Sequence, residues 1–248
     1  MITSNIKYRK FNFPVGEMHV VVDPESIDGI VEVCWEFERN DELIELLFLA
    51  DAIKRQGGHI CSLKIPYIPF GRQDRAAYPG DCFSLKVFCD LINSIGAFEV
   101  IVTDPHSDVT AALLNNIKII HQAEVFSKYF KPQDAALLIS PDGGALKKIY
   151  KLAERVKSEV IECSKNRNVH TGEIAGVTAH ADNLHGKACY IVDDICDGGR
   201  TFIEIAKVLK SKNAGKVVLM VTHGFFTKGL SVFDGLIDEI YTRKGKVK

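Results

Sequence analysis

The feature that most constrains the fold is a strand, a loop and a helix that follow one another directly. Residues 189–192 are mostly apolar and form a short run typical of a buried strand. The acids Asp193 and Asp194 follow, where this strand is expected to end, and residues 197–201 then read Asp-Gly-Gly-Arg-Thr. The helix predicted after them has one apolar face, which comprises Phe202, Ile205, Ala206 and Leu209. A unit of this kind is typical of α/β proteins.

The loop at residues 197–201 has the features of a phosphate-binding loop. Its two adjacent glycines allow a tight turn that directs successive N–H groups into one concavity, and the following helix adds its positive end. The carboxylates of Asp193 and Asp194 would repel a bare phosphate and suit a sugar hydroxyl linked to Mg²⁺ better. On this loop alone, an ordinary strand-to-helix turn with solvated acids remains the alternative.

The rest of the chain alternates between strand and helix patterns, which predicts parallel sheets covered on both faces by helices. Pro132 is predicted to be the hinge between two α/β domains of similar size, residues 1–131 and residues 132–248. Residues 164–185 are polar and are predicted to be irregular, and a loop of this length in a compact fold is usually functional or mobile.

Composition and charge exclude several classes of protein. The net charge is −1, so no basic excess indicates a nucleic-acid partner. The N-terminal residues form no hydrophobic signal region, and no stretch is long enough to cross a membrane. The seven cysteines lie mostly in apolar runs without metal-type pairing, which is typical of reduced core residues in a cytosolic protein. We therefore expect a cytoplasmic protein that binds neither nucleic acid nor membrane.

A second polar loop follows the strand predicted at residues 59–65. Two prolines and a glycine exclude regular structure there, while Arg72, Gln73, Asp74 and Arg75 are consecutive. The arginines could hold a nucleotide polyphosphate, and the glutamine could contact a base or a ribose. A solvated loop is the alternative, but its position at the carboxyl end of a strand favours a site.

Two shorter loops also follow predicted strands. His106 lies just beyond residues 99–103, next to Asp104, and could ligate a metal or contact a phosphate. A single histidine in that position is more often an ordinary polar loop residue. Residues 140–144, Ser-Pro-Asp-Gly-Gly, form another glycine-rich turn before a predicted helix.

Taken together, these segments resemble the ribose-phosphate diphosphokinase, or phosphoribosyl-diphosphate (PRPP) synthetase, family. Residues 66–75 are similar to that family's Pro-Tyr-x-x-x-x-Arg-Gln-Asp-Arg segment for ATP, and residues 103–106 to its Asp-x-His element. Residues 140–144 resemble its Ser-Pro-Asp-x-Gly element, and residues 190–201 its ribose-phosphate loop. Their order and spacing match, as does the helix pattern at residues 45–55, so the resemblance covers nearly the whole chain. Phosphoribosyltransferases share only the last motif.

The resemblance implies a fold and a reaction. The fold would be α/β, with two type I phosphoribosyltransferase-like domains, each a mainly parallel sheet flanked by helices. The reaction would be Mg²⁺-dependent transfer of the β,γ-diphosphate of ATP to the anomeric hydroxyl of ribose 5-phosphate, giving PRPP and AMP. Residues 6–22 predict a hairpin with Pro14 and Gly16 in its turn. In the family this hairpin reaches a neighbouring subunit's adenine pocket, which implies a homo-oligomer, from dimer to hexamer.

The resemblance also implies roles for individual residues. ATP binding is carried over to Phe13, Glu17, Arg72, Gln73 and Asp74. Binding of the ribose and its 5′-phosphate is carried over to Asp193, Asp194, Asp197, Gly198, Gly199, Arg200 and Thr201. The implied metal ligands are His106, Asp142, Asp193 and Asp194. Lys165 and Arg167 match the Lys-x-Arg pair of a flexible catalytic loop, and His106 is the other implied catalytic residue.

Three departures from the family pattern bear on the function. The chain begins late relative to the family's first strand and Ser-rich phosphate-contact segment, and Val15 stands where the family has Asp or Asn. Arg200 stands where the family has a small residue such as glycine. A cation that reaches outward from this loop would suit a larger 5′ substituent, such as the diphosphate of ADP-ribose. A PRPP-consuming phosphoribosyltransferase and a non-catalytic, synthetase-like regulatory subunit also stay open as functions.

Overall fold

The computed structural model describes residues 1–27, 29–130, 136–167 and 174–248, with the side chains of 165–167 and 174–175 left undescribed. The described residues divide into two compact units, Met1–Ile120 and His121–Lys248. Pro132, the predicted hinge, lies outside the described residues, so its role and the boundary at residue 132 stay predictions.

The first unit is built on a mainly parallel sheet. Its strands are β1 (Ile2–Ser4), β2 (Tyr8–Asn12), β3 (Met18–Val22), β4 (Ile30–Trp35), β5 (His59–Ile65), β6 (Glu99–Thr103) and β7 (Ile117–Ile120). Its helices are α1 (Glu42–Arg55), α2 (Ser84–Ile95) and α3 (Val109–Leu113). The sheet order is β1-β4-β5-β6-β7, with β1 antiparallel to β4 and the other neighbours parallel. Apolar faces of the helices cover the sheet and form one core with it.

The strands β2 and β3 form a separate antiparallel hairpin, as the sequence predicts. Tyr8 pairs with Val22 and Asn12 with Met18, and Gly16 adopts a positive φ of 92° in the turn between them. Val20 and Val22 are buried, whereas Phe13 at the tip is 47% exposed. The base of the hairpin therefore belongs to the core, and its tip faces solvent.

The second unit is built on a longer sheet of the same type. Its strands are β8 (Leu137–Ser140), β9 (Glu159–Arg167), β10 (Ile174–Ala179), β11 (Cys189–Cys196), β12 (Val217–Gly224), β13 (Glu239–Thr242) and β14 (Gly245–Lys246). Its helices are α4 (Gln122–Phe126), α5 (Leu146–Val156) and α6 (Arg200–Ser211). The order is β10-β9-β8-β11-β12-β13-β14, parallel from β9 to β13 and antiparallel at both ends. The predicted α/β class with mainly parallel sheets is confirmed.

Two local predictions are wrong. Residues 164–185 are not irregular throughout, because β9 continues to Arg167 and pairs antiparallel with β10. The pairing of β9 with β8 ends at Glu162, and from Cys163 onwards β9 is hydrogen-bonded to β10. These hydrogen bonds join backbone groups, so polar residues can form this part of the strand without an alternating apolar pattern in the sequence. The strand β11 also does not end before Asp193, because it stays paired with β12 as far as Cys196 and Gly224.

The cysteines differ in their surroundings. All seven are free thiols, and Cys89, Cys163, Cys189 and Cys196 are buried, as expected for core residues. Burial raises the pKa of the Cys89 thiol to about 12 and that of Cys189 to about 11, so both stay protonated at neutral pH. Cys82 is exposed, and the core prediction is wrong for it.

Within the parts of the chain that the structure describes, every helix is too short or too polar to span a bilayer.

Glu239 is expected to make the stability of the second unit depend on pH. Its carboxylate accepts hydrogen bonds from Lys216 Nζ at 2.8 Å and Lys246 Nζ at 2.6 Å, and these bonds lower its pKa from 4.5 to about 2. A carboxyl group whose pKa is lower in the folded than in the unfolded state stabilises the fold at pH values above the unfolded-state pKa of 4.5. This stabilisation is lost as the pH falls from 4.5 towards about 2. Glu239→Gln should therefore lower the free energy of unfolding by about 1–2 kcal/mol at pH 7.

The measurement is urea unfolding at pH 7 and at low pH, where the difference from the wild type should shrink. Glu204→Gln is the control, because Glu204 has a single, exposed ion pair with Lys207 at 2.8 Å. An equal loss for Glu239→Gln at both pH values would contradict the prediction.

Candidate functional site

The loop between β5 and α2 is held by backbone hydrogen bonds at both ends. Thr103 N donates to Pro66 O at 3.0 Å, which ties the start of the loop to the end of β6. Gln73 N donates to Phe70 O at 2.8 Å, and Gln73 O accepts from Leu85 N at 3.3 Å in the first turn of α2. The backbone of Gln73 is therefore held in place while its side chain is exposed.

This loop borders an open cavity of 530 Å³ within the first unit. The lining residues are Arg72, Gln73, Asp74, Arg75, Ala77, Asp81, Cys82, Ser84 and His106. His106 comes from the loop after β6, and a Cβ added to Gly71 would lie 3.4 Å from its Cβ, so the two loops are in close contact. The volume is in the range of small-molecule sites. The cavity thus combines residues that the sequence places in separate segments.

Asp74 orients one of the arginines of this cavity. Arg75 Nε donates to Asp74 Oδ1 at 2.8 Å, and Arg75 Nη2 donates to Oδ2 at 3.3 Å. Hydrogen bonds from Arg75 and then from Ser107 hold the pKa of the Asp74 carboxyl below its usual range. The Asp74 carboxylate therefore stays charged and holds the Arg75 guanidinium at the cavity. The positive charge of this guanidinium offsets the repulsion between the carboxylate and an anionic ligand.

Asp81 is a cavity residue that the sequence reasoning missed. Its Oδ2 accepts hydrogen bonds from the N–H groups of Ala77 at 3.1 Å and Tyr78 at 2.9 Å. These bonds close the turn that forms one side of the cavity. The Tyr-Pro-Gly-Asp sequence at residues 78–81 is a turn signal that could have identified it.

In the second unit, Asp142 shapes the turn after β8. Its Oδ1 accepts hydrogen bonds from Gly144 N at 3.0 Å and Ala145 N at 3.2 Å, and its backbone O accepts from Ser140 Oγ at 2.8 Å. One carboxylate oxygen of this predicted metal ligand therefore has a local structural role before α5.

The structure separates Asp193 from Asp194. Successive residues of a strand point to opposite faces, and Ile191 packs in one core cluster while Val192 packs in another. Asp194 is 6% exposed and lies 3.2 Å from Lys148 Nζ of α5, on the face of Val192. Asp193 is half-buried on the other face and accepts a hydrogen bond from Asp194 N at 2.9 Å. A shared role of both carboxylates at one ribose stays a prediction.

The glycine-rich loop makes a tight turn directly before α6, and its role as a phosphate cradle stays a prediction. Gly199 has a φ of +79°, in the left-handed region that glycine adopts readily, and immediately precedes α6. A Cβ at Gly199 would lie 2.4 Å from Phe233 Cζ, so the backbone packs directly on this buried ring. Arg200 occupies the first position of α6 and is exposed, while Thr201 is half-buried.

The chain after β12 braces this loop, which the sequence reasoning missed. Thr227 Oγ1 donates to Asp197 Oδ1 at 2.7 Å, and Thr227 N donates to Asp197 O at 3.2 Å. Phe225 N donates to Cys196 O at 2.8 Å. These partners lie about 30 positions apart in the chain, and no local pattern in the sequence indicates the contact.

The described residues fit a magnesium ion that is held largely by substrate. No group of three or more His, Cys, Asp or Glu side chains converges as a metal site within the ranges described above. Mg²⁺ commonly takes only one or two protein carboxylates, with water and substrate phosphates as its other ligands. Asp193 on β11 could supply one such carboxylate. The metal roles predicted for His106, Asp142, Asp193 and Asp194 stay predictions.

The predicted catalytic pair lies outside the described side chains. The backbone of Lys165 and Arg167 belongs to β9, but the positions of their side chains are not described. Their catalytic assignment therefore stays a prediction.

Comparison with known proteins supports the same family at both ends of the chain. The family described as the N-terminal domain of ribose phosphate pyrophosphokinase matches residues 7–96. The family described as the phosphoribosyl synthetase-associated domain matches residues 175–242.

Curated relatives match over most of the chain. A ribose-phosphate pyrophosphokinase of Pyrococcus abyssi is 31% identical over 229 residues, which cover 91% of this chain and 78% of the relative. Ribose-phosphate pyrophosphokinase 1 of Listeria monocytogenes is 31% identical over 219 residues, covering 86% and 68% respectively. The crystal structure of phosphoribosylpyrophosphate synthetase from Mycobacterium smegmatis superposes with a TM-score of 0.80 at 22% identity, covering 96% of this chain and 80% of that one. The structural match supports the fold.

Proposed function

Because this chain belongs to the ribose-phosphate pyrophosphokinase family, we propose that it transfers the β,γ-diphosphate of ATP to the anomeric hydroxyl of ribose 5-phosphate, giving PRPP and AMP. The observation that carries the proposal is the cavity lined by Arg72, Gln73, Arg75 and His106. A phosphoribosyltransferase that consumes PRPP needs the glycine-rich loop and has no use for a second anion site in the other unit. A diphosphokinase needs both.

In this proposal the cavity of the first unit holds ATP. Arg72 and Arg75 pair with the polyphosphate, and the Asp74 carboxylate keeps the Arg75 guanidinium in position. Gln73 contacts the base or the ribose of the nucleotide, and His106 lies at the same cavity near the phosphates. Transfer of a diphosphate builds negative charge on oxygen atoms, so catalysis depends on positioning and cations and requires no covalent nucleophile.

The glycine-rich loop of the second unit holds the acceptor sugar. The N–H groups around Gly198 and Gly199 and the start of α6 receive the 5′-phosphate, together with the Thr201 hydroxyl. Asp193 binds the sugar hydroxyls, and Mg²⁺, when bound, neutralises charge on the phosphate oxygens. Lys165 and Arg167 are proposed to cover the reacting atoms once both substrates are bound, which excludes water.

Arg200 favours a second candidate acceptor. Its side chain is exposed at the first position of α6, so it extends from the loop towards solvent. An additional cation there suits a 5′ substituent with more than one phosphate, as in ADP-ribose. The same chemistry at the anomeric carbon would then act on a larger acceptor.

The experiment that tests the function is ³¹P NMR of MgATP with purified protein and either ribose 5-phosphate or ADP-ribose. Signals of AMP and of a new anomeric diphosphate in the sample with ribose 5-phosphate support the proposal. If these signals appear only in the sample with ADP-ribose, the acceptor is ADP-ribose. Base-dependent loss of added PRPP without ATP turnover would identify a phosphoribosyltransferase. A folded protein that turns over no ATP with either acceptor would be the regulatory subunit.

A homo-oligomer, from dimer to hexamer, is proposed as the working form in the cytoplasm. The hairpin tip supports this, because Phe13 is 47% and Val15 81% exposed, which leaves apolar surface for a second copy of the chain. Light scattering coupled to gel filtration measures the assembly directly. A monomer at the concentrations of the assay would contradict this proposal.

Asp81→Ala is expected to raise the KM for ATP by about 10-fold, because two hydrogen bonds that close the turn beside the cavity are lost. The kcat should change little, since Asp81 has no proposed role in the transfer step. The measurement is steady-state kinetics with varied MgATP. Asp90→Ala is the control, because Asp90 is an exposed acid of the same unit in an ion pair with Lys86. An unchanged KM would contradict the prediction.

A further inference from the structure

The side chain of Lys228 lies beside Gly198 of the glycine-rich loop, although no motif in the sequence assigns it a role. A Cβ added to Gly198 would lie 3.4 Å from Lys228 Cε, 3.5 Å from its Cδ and 3.7 Å from its Cγ. Three consecutive methylene groups therefore lie beside the first glycine of the loop, and the ammonium group follows one bond beyond Cε. The residue is exposed, as expected for a lysine whose methylene groups lie along the protein surface and whose ammonium group stays in water.

The backbone of Lys228 is held in this position from both sides. The preceding residue, Thr227, makes the two hydrogen bonds to Asp197 described above. The following residue, Gly229, has a φ of +75°, and its N–H donates to Phe226 O at 2.7 Å. When a ligand binds, only the side chain of Lys228 has to become ordered, because the backbone is already held. The entropy cost of placing its ammonium group on the ligand is therefore lower.

The chemistry of the loop explains what this charge can do. In the proposed function the loop provides N–H donors and the positive end of α6, and the exposed Arg200 adds one cation at the first position of this helix. A lysine ammonium binds phosphate as a point charge without strict directional requirements. We propose that Lys228 binds a phosphate group on the 5′ carbon of the acceptor sugar and thereby determines how tightly the acceptor binds. This inference rests on the proposed function.

A purely structural role for Lys228 makes a different prediction. If the methylene groups only cover Gly198, then Lys228→Met, which keeps an unbranched apolar side chain and removes the charge, should behave as the wild type. If the ammonium binds phosphate, Lys228→Met and Lys228→Gln should both weaken acceptor binding, and Lys228→Arg should retain most of it.

The experiment is steady-state kinetics with MgATP and varied acceptor for these variants. We expect the KM for the acceptor to rise about 10-fold in Lys228→Met and Lys228→Gln, as for loss of one charge-assisted contact, while the KM for ATP stays within about twofold of wild type. Lys207→Met is the matched control, because Lys207 is an exposed lysine of α6 in an ion pair with Glu204. If the acceptor KM rises only with ribose 5-phosphate, the Lys228 ammonium group binds a 5′-monophosphate. If it rises only with ADP-ribose, the ammonium group binds a diphosphate.

The outcomes separate this inference from the proposed function. An active wild type together with an unchanged acceptor KM in both uncharged variants overturns the role of Lys228 and leaves the function intact. If the wild type turns over no ATP, the function fails, and calorimetric titration with ribose 5-phosphate and with ADP-ribose tests Lys228 alone. Equal affinities of wild type and Lys228→Met in that titration, or no measurable binding to the wild type, would overturn the inference.

Discussion

Replacing Asp193 by asparagine is expected to lower the rate of AMP formation by about 10²- to 10³-fold, as for removal of one preorganised electrostatic contact at the reacting group. Asp193 is half-buried in the second half of β11, four residues before the glycine-rich loop begins at Asp197. Asparagine keeps the oxygen that accepts from Asp194 N and removes only the negative charge. The loss should therefore appear in kcat with the fold intact.

The decisive measurement is kcat at saturating MgATP and acceptor, with a thermal melt of the same preparation. Asp182→Asn is the matched control, because Asp182 is an exposed acid of the same unit with no proposed role. A variant that melts as the wild type and has the wild-type kcat would remove Asp193 from the proposed mechanism.

Gly199→Ala is expected to destabilise the second unit by about 2–4 kcal/mol. Part of the loss comes from backbone strain, since φ is +79° and an L side chain is disfavoured there. The larger part comes from the overlap with Phe233, whose Cζ would lie 2.4 Å from the new Cβ and whose ring is fully buried. The loop must move to relieve this overlap, so acceptor binding should weaken as well.

Gly235→Ala separates the two causes. Gly235 has a φ of +74° and nothing within 4 Å of an added Cβ, so only the backbone cost of about 1 kcal/mol should remain. Urea unfolding of both variants gives the comparison. A double variant, Gly199→Ala with Phe233→Leu, should lose less than the sum of the single changes because the smaller side chain relieves the overlap. Equal losses for Gly199→Ala and Gly235→Ala would show that Phe233 is not the cause.

Local patterns in the sequence are sufficient for the elements and for the class of fold. The helix α1 and the strand β5 follow from apolar spacing, which depends on neighbours within a few residues. The glycine-rich loop before α6 could be predicted because glycine adopts tight-turn conformations that other residue types disfavour. The end of β11 could not be predicted in the same way, because its length depends on pairing with β12, a strand about 28 positions further along.

The sequence by itself determined two α/β halves, the loops at the ends of their strands and the chemical character of each candidate loop. All of these depend on short-range periodicity and on the special backbone preferences of glycine and proline. Only the tertiary structure decided that His106 joins the arginine loop at one cavity and that Asp194 pairs with Lys148 on the face opposite Asp193. It also decided that the side chain of Lys228 lies beside Gly198. These contacts join residues far apart in the chain, and their geometry is set by how the sheet orders its strands, which no local pattern records.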